Sequence, residues 1–142
     1  MLGDFSGDGN LDVAVTTQNS SAVHVLMGRG DGTFSRPQSF FASSAGAGSI
    51  VAADFNGDGK LDLAVTSCDI PKPCHVPVLL GNGDGTFQAP KQFGVGVNPQ
   101  QLVVADFNHD GKPDIATING GDSTISILLN TTRFAPPSPP LK

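Results

Sequence analysis

The chain has 142 residues and a formal net charge of −5 with no basic patch, which excludes nucleic acid as a partner because nothing is present to neutralise phosphates. All thirteen acids are Asp, a turn and capping residue; Glu, the better helix former, is absent, and this argues against a helical build. No stretch approaches about 18–20 consecutive apolar residues, so a membrane-spanning helix is excluded and no membrane insertion is expected.

In chain order, the first element is an Asp-rich loop, Asp4-Phe5-Ser6-Gly7-Asp8-Gly9-Asn10-Leu11-Asp12, which runs straight into Val13-Ala14-Val15. An apolar run, Val23–Met27, follows and ends in Gly28-Arg29-Gly30-Asp31-Gly32-Thr33-Phe34, where Asp-Gly between apolar runs is a strong hairpin signal. The loop then returns as Asp54-Phe55-Asn56-Gly57-Asp58-Gly59-Lys60-Leu61-Asp62, preceded by a strand expected over Ser49–Ala53. Strands are expected next over Leu61–Thr66, Val76–Leu80 and Phe87–Phe93, with a second Gly-Asp-Gly turn between the last two. The third loop, Asp106-Phe107-Asn108-His109-Asp110-Gly111-Lys112-Pro113-Asp114, leads to Ile125-Ser126-Ile127-Leu128-Leu129-Asn130, skips the Gly-Asp-Gly turn and reaches Phe134 early. Residues 135–142 read as a stiff Pro-rich tail or linker.

Four short strands recurring at roughly 50 residues are the pattern of a propeller blade or similar array. The expected fold is all-β: about three β-propeller blades of four antiparallel strands, at about 1–45, 46–97 and 98–134, in a repeat region spanning 1–134. The first unit starts without its first strand and the last lacks a clear fourth, and three blades cannot close the usual ring of 4–8. The chain therefore reads as an incomplete propeller or fragment, truncated at its N-terminus, whose ring is completed by other blades or by self-association; open strand edges at both ends point the same way.

The three loops carry nine of the thirteen Asp. Counting from Asp54, oxygen-bearing side chains fall at positions 1, 3, 5 and 9 (Asp54, Asn56, Asp58 and Asp62), Gly59 at position 6 permits a sharp turn, and the carbonyl of Lys60 at position 7 can face inward. The first loop offers Asp4, Ser6, Asp8, the Asn10 carbonyl and Asp12; the third offers Asp106, Asn108, Asp110, the Lys112 carbonyl and Asp114. Ser6 is a weaker donor than Asn. Hard oxygen donors of high negative charge suit calcium above zinc or copper, and clustered carboxylates repel without a cation, so up to three bound Ca²⁺ are expected. An EF-hand is disfavoured: position 12 is Val15, Val65 and Thr117 in place of a bidentate Glu, and strands follow in place of helices. The side chain of Lys60 is expected to point away from the loop, and that of His109 to face solvent. Asp31 and Asp84 are read as ordinary turn residues.

These motifs resemble FG-GAP repeats of the VCBS type, as in the propellers of integrin α subunits and in secreted bacterial proteins. The resemblance rests on Asp-Phe-Asn-Gly-Asp-Gly-x-x-Asp followed by an apolar residue and Ala, three times over, and its pattern covers about residues 3–134. It implies a propeller, commonly seven-bladed, in an extracellular or cell-surface protein, with calcium in the loop joining the first two strands of each blade.

Calcium spread over three separate sites suits a scaffold. An interaction or adhesion module contacting a protein or glycan is expected; the alternatives are part of a carbohydrate-binding or carbohydrate-active propeller protein, or a purely structural spacer. No nucleophile elbow, phosphate-binding loop or Ser/His/Asp set arguable from spacing is present, so no enzyme activity is expected. Arg29-Gly30-Asp31 is explained by the turn that contains it. Asn19-Ser20-Ser21 and Asn130-Thr131-Thr132 fit the glycosylation pattern and carry little weight. Cys68 and Cys74 close a short Pro-rich loop and can pair if the chain is exported.

Overall fold

A computed structural model describes residues 1–17, 20–44, 46–68 and 73–134. Asn19 and the Pro-rich tail lie outside the described residues. The described residues are all strand, turn and loop, in three antiparallel sheets with no helix.

Each sheet is one repeat, and the three sheets are labelled blade 1 to blade 3 after the repeats they hold. Blade 1 is β1 (Leu2–Gly3), β2 (Asp12–Thr16), β3 (Ala22–Leu26) and β4 (Gln38–Phe41), in that order across the sheet. Blade 2 is β5 (Ala47–Ala53), β6 (Asp62–Cys68), β7 (Cys74–Leu79) and β8 (Lys91–Gly94), again in chain order. Blade 3 has three strands, β9 (Pro99–Ala105), β10 (Asp114–Asn119) and β11 (Thr124–Leu128). The missing first strand of blade 1 is a two-residue stub, Leu2↔Val13 and Gly3↔Asp12.

One expected strand is corrected. Residues Phe87–Pro90 do not join β8; Phe87 makes only an isolated bridge to Gly81, and the sheet resumes at Lys91. Pro90 supplies no N–H to a ladder, so pairing begins only after it. The same break precedes β4, where Pro37 stands and Phe34 bridges Gly28.

Side chains alternate across each strand, so a blade has two faces, and in the middle blade both are buried. Leu63, Val65 and Leu79 of blade 2 join Phe5, Ala14, Val23 and Val25 of blade 1 in one core. Ala64, Val76 and Val78, on the opposite face, join Leu102 and Ile115 of blade 3 in a second. The cores therefore lie between the blades. Phe87 locks the first of them, its ring edge-on to Phe5 at 5.9 Å and to Phe40 at 5.2 Å, a favoured aromatic geometry.

Cys68 and Cys74 are disulfide-bonded and face each other in register at the end of the β6–β7 hairpin.

Candidate metal centre

The three Asp loops occupy equivalent places, each between the first two strands of its blade. The last Asp of each loop is the most buried group in it: Asp12, Asp62 and Asp114 are fully inaccessible. Asp62 accepts the Phe55 N–H through Oδ2 and the Gly81 N–H through Oδ1, both at 2.8 Å. Asp12 accepts Phe5, Ser6 and Gly28, and Asp114 accepts Phe107 and Asn130, in the same pattern. Each ties the start of its own loop to the chain leaving the third strand. This fastening role was missed in the sequence; the signal was the Gly recurring at 28 and 81, right after each third strand.

The first Asp of each loop turns inward onto the loop's own amides. Asp54 accepts N–H groups from Gly57, Asp58 and Gly59 at 2.7–3.1 Å. Asp4 accepts Gly7, Asp8 and Gly9, and Asp106 accepts Asp110 and Gly111. The middle Asp takes the N–H of position 7: Asp8 from Asn10, Asp58 from Lys60, Asp110 from Lys112. That backbone bond from Asn10 is the main reason the Asp8 carboxyl lies below its ordinary value. Asn56 and Asn108 accept the N–H of Asp58 and Asp110. Ser6 donates its hydroxyl to Asp4 at 3.4 Å.

Burial pushes the Asp62 carboxyl up, and the nearby charges of Asp58 and Asp54 push it further, against the two N–H bonds it accepts. Among the described residues, no three His, Cys or Asp side chains converge as a group able to hold an ion, because the carboxylates are turned to the loop amides. The donor set does fit calcium in kind: every donor is a hard oxygen, although Asp4 already accepts four hydrogen bonds and would have to give some up to an ion.

Position 7 differs between loops. Lys60 is exposed and lies beside Gly83, whereas Lys112 folds back, its Nζ at 3.2 Å from Asp110 Oδ2 and 3.4 Å from the Asn130 carbonyl.

His109 faces solvent as expected, but its backbone is left-handed at φ 61°, where Gly7 and Gly57 stand in the other loops at φ 73° and 77°. A side chain at this φ is strained, and His109→Gly relieves it at some cost in unfolded-chain entropy. The variant is expected to gain about 0.5–1 kcal/mol, measured by urea unfolding.

The loops are also roofed by the following blade. The Gly85 N–H donates to the Phe5 carbonyl at 2.9 Å, and Asn130 Nδ2 donates to the Phe55 carbonyl at 2.8 Å. Asn130 thus makes from its side chain the contact that the skipped turn makes in blade 2. In the turns themselves Asp31 and Asp84 each accept the hydroxyl and the N–H of the Thr two residues on. The Thr hydroxyl is the larger cause holding each of these two carboxyls low. They are turn residues, as expected.

No curated protein matches the chain. The model of the FG-GAP-like repeat matches residues 4–65 and 73–117, which take in all three Asp loops and at least the first part of the strand that follows each. On that match, over well more than half of its length, the chain belongs to the FG-GAP-like repeat family.

Proposed function

We propose that this chain is a calcium-stabilised propeller module that acts by binding a protein or glycan and has no catalytic role. Membership of the FG-GAP-like repeat family supports a propeller-type interaction module in general, and such repeats are typical of extracellular or surface proteins. The observation that carries the calcium reading is the loop itself. The same pattern of oxygen-bearing residues, with three Asp in each loop, recurs three times between the same two strands.

Asp4, Ser6, Asp8, the Asn10 carbonyl and Asp12 would hold the first ion. Asp54, Asn56, Asp58, the Lys60 carbonyl and Asp62 would hold the second. Asp106, Asn108, Asp110, the Lys112 carbonyl and Asp114 would hold the third. Bound calcium supplies charge neutralisation and a cross-link between neighbouring strands. The third site requires Lys112 to leave Asp110, so it is the weakest of the three. The Cys68–Cys74 disulfide favours an oxidising, extracellular setting.

Thermal unfolding by circular dichroism, in about 10 mM calcium and again in chelator, tests this. For a site with Kd of about 10⁻⁴ M the gain is about 2.7 kcal/mol, or roughly 10 °C in Tm at this size. Magnesium at the same concentration is expected to give little of it. Coincident curves would remove the calcium reading and the extracellular one built on it.

A further inference from the structure

The joint between blades 2 and 3 encloses a hole shaped for a ring. A cavity of about 200 Å³ lies there, walled by Phe55, Val78, Leu80 and Phe93 of blade 2 and by Ile115 and Leu128 of blade 3. In the repeat these six stand where Phe5, Val25, Met27 and Phe40 stand in blade 1 and Leu63 and Leu79 in blade 2. Those counterparts pack together in the first core, and the Phe87 ring packs among them, edge-on to Phe5 at 5.9 Å and to Phe40 at 5.2 Å. The second joint has the same walls and no such ring.

The skipped turn is the cause. Gly81 to Phe87 spans seven residues, and the matching stretch from Asn130 to Phe134 spans five. The shorter path sets the Phe134 ring against Gly57 at the tip of the second Asp loop, where the first loop has the Gly83 carbonyl against Gly7. Phe134 therefore stands outside the cavity, with the Lys112 ammonium 6.0 Å from its ring centre. Phe93 shows the result: it is 44% exposed, whereas its counterpart Phe40 is half-buried against Phe87. The lining is polar at one edge. Lys91 is exposed there and pairs with no carboxylate among the described residues.

We propose that this cavity binds a small aromatic acid. One ring seats between Phe55 and Phe93, as Phe87 sits between Phe5 and Phe40, and the acid group meets the Lys91 ammonium. An apolar hole of about 150 Å³ lined by Leu, Ile and Phe stays dry and takes up benzene, so the larger space here holds a ring and a short chain. Mostly apolar walls with a few polar groups to orient the ligand are the usual build of such sites. The site lies at a joint inside the chain and involves neither terminus nor bound metal.

Titration of the whole chain with phenylacetate, followed by amide chemical shifts, tests it. Saturating shifts are expected at Phe55, Val78, Phe93 and Ile115, with a Kd on the order of 0.1–1 mM for a ligand of this size. Lys91→Ala is expected to weaken phenylacetate about threefold, the worth of a partly exposed ion pair, and to leave the neutral benzyl alcohol unchanged. Replacing Asn130–Arg133 by the sequence of Gly81–Thr86 lengthens the path by two residues. Phe134 is then expected to enter the slot and abolish binding of both ligands. Leu80→Trp, which fills the slot from blade 2, is the second closed variant, should the longer turn lose the strand circular dichroism. Shifts that are absent at millimolar phenylacetate, or that scatter over the surface without saturating, would overturn the proposal. So would binding that survives both closed variants. Binding of phenylacetate that is indifferent to Lys91→Ala would overturn the assignment of an acid as ligand.

Discussion

Asp62→Ala is expected to cost about 3 kcal/mol even in chelator, where no metal contributes to the loss. The side chain is fully buried and accepts the Phe55 and Gly81 amides. Removing it strands two N–H groups with no replacement acceptor, each worth about 1–3 kcal/mol when buried and unmade. Relief of the repulsion from Asp54 and Asp58 offsets part of that, which is why the lower half of the summed range is expected. Asp62→Asn keeps one carbonyl oxygen for one amide but turns an NH₂ toward the other, and is expected to lose about half as much. Urea unfolding with unchanged m-value reads both. A loss below about 1 kcal/mol for Asp62→Ala would mean that the two strands are held by the sheet alone and that the carboxylate serves only an ion. Asp54→Ala is the informative contrast: its carboxylate is only half-buried and serves amides of the exposed loop tip, so in chelator its loss is smaller.

Gly81→Ala is the second large effect. A Cβ at residue 81 would overlap the backbone carbonyl oxygen of Leu61, and one at Gly28 would overlap that of Leu11. Backbone cannot rotate away as a side chain can, so the chain leaving β7 must shift, and the Gly81 N–H that Asp62 accepts shifts with it. Overpacking of this kind costs about 1–3 kcal/mol, and the lost amide bond places Gly81→Ala near the top of that range, about 3 kcal/mol. Gly94→Ala, with nothing within 4 Å of the added carbon, is the control and is expected to stay within about 0.5 kcal/mol. In blade 3 the same position is Asn130, which keeps the N–H bond to Asp114. The Gly-Asp-Gly turn that pins Gly28 to Phe34 and Gly81 to Phe87 is absent there. The demand for glycine thus comes from the close approach of the Leu11 and Leu61 carbonyls and not from the bond to the carboxylate.

The repeat was legible because its unit is local. Apolar alternation and Asp-Gly turns fix where strands lie within a few tens of residues, and the three sheets follow that reading closely. The fourth strand was misplaced at Phe87 because aromatic and apolar content outweighed Pro90, whose missing N–H decided the matter. The Asp loops were legible as oxygen-rich turns, but the division of labour within them was not. Asp12, Asp62 and Asp114 look like ligands equal to the other acids of each motif, and only the fold shows that they reach amides beyond the third strand. The return of Lys112 to Asp110 and the left-handed backbone of His109 also depend on loop geometry that a one-dimensional pattern does not contain.

The roofing of each Asp loop by the next blade gives the array a direction. Gly85 closes over Phe5, and Asn130 closes over Phe55, so the first two loops are each sealed from the C-terminal side. Within the chain nothing described does the same for Phe107, which is left exposed. Opening should therefore pass from a repeat to the loop before it: loosening of the chain at Asn130 uncovers the second Asp loop at Phe55, and loosening of the Gly85 turn uncovers the first at Phe5.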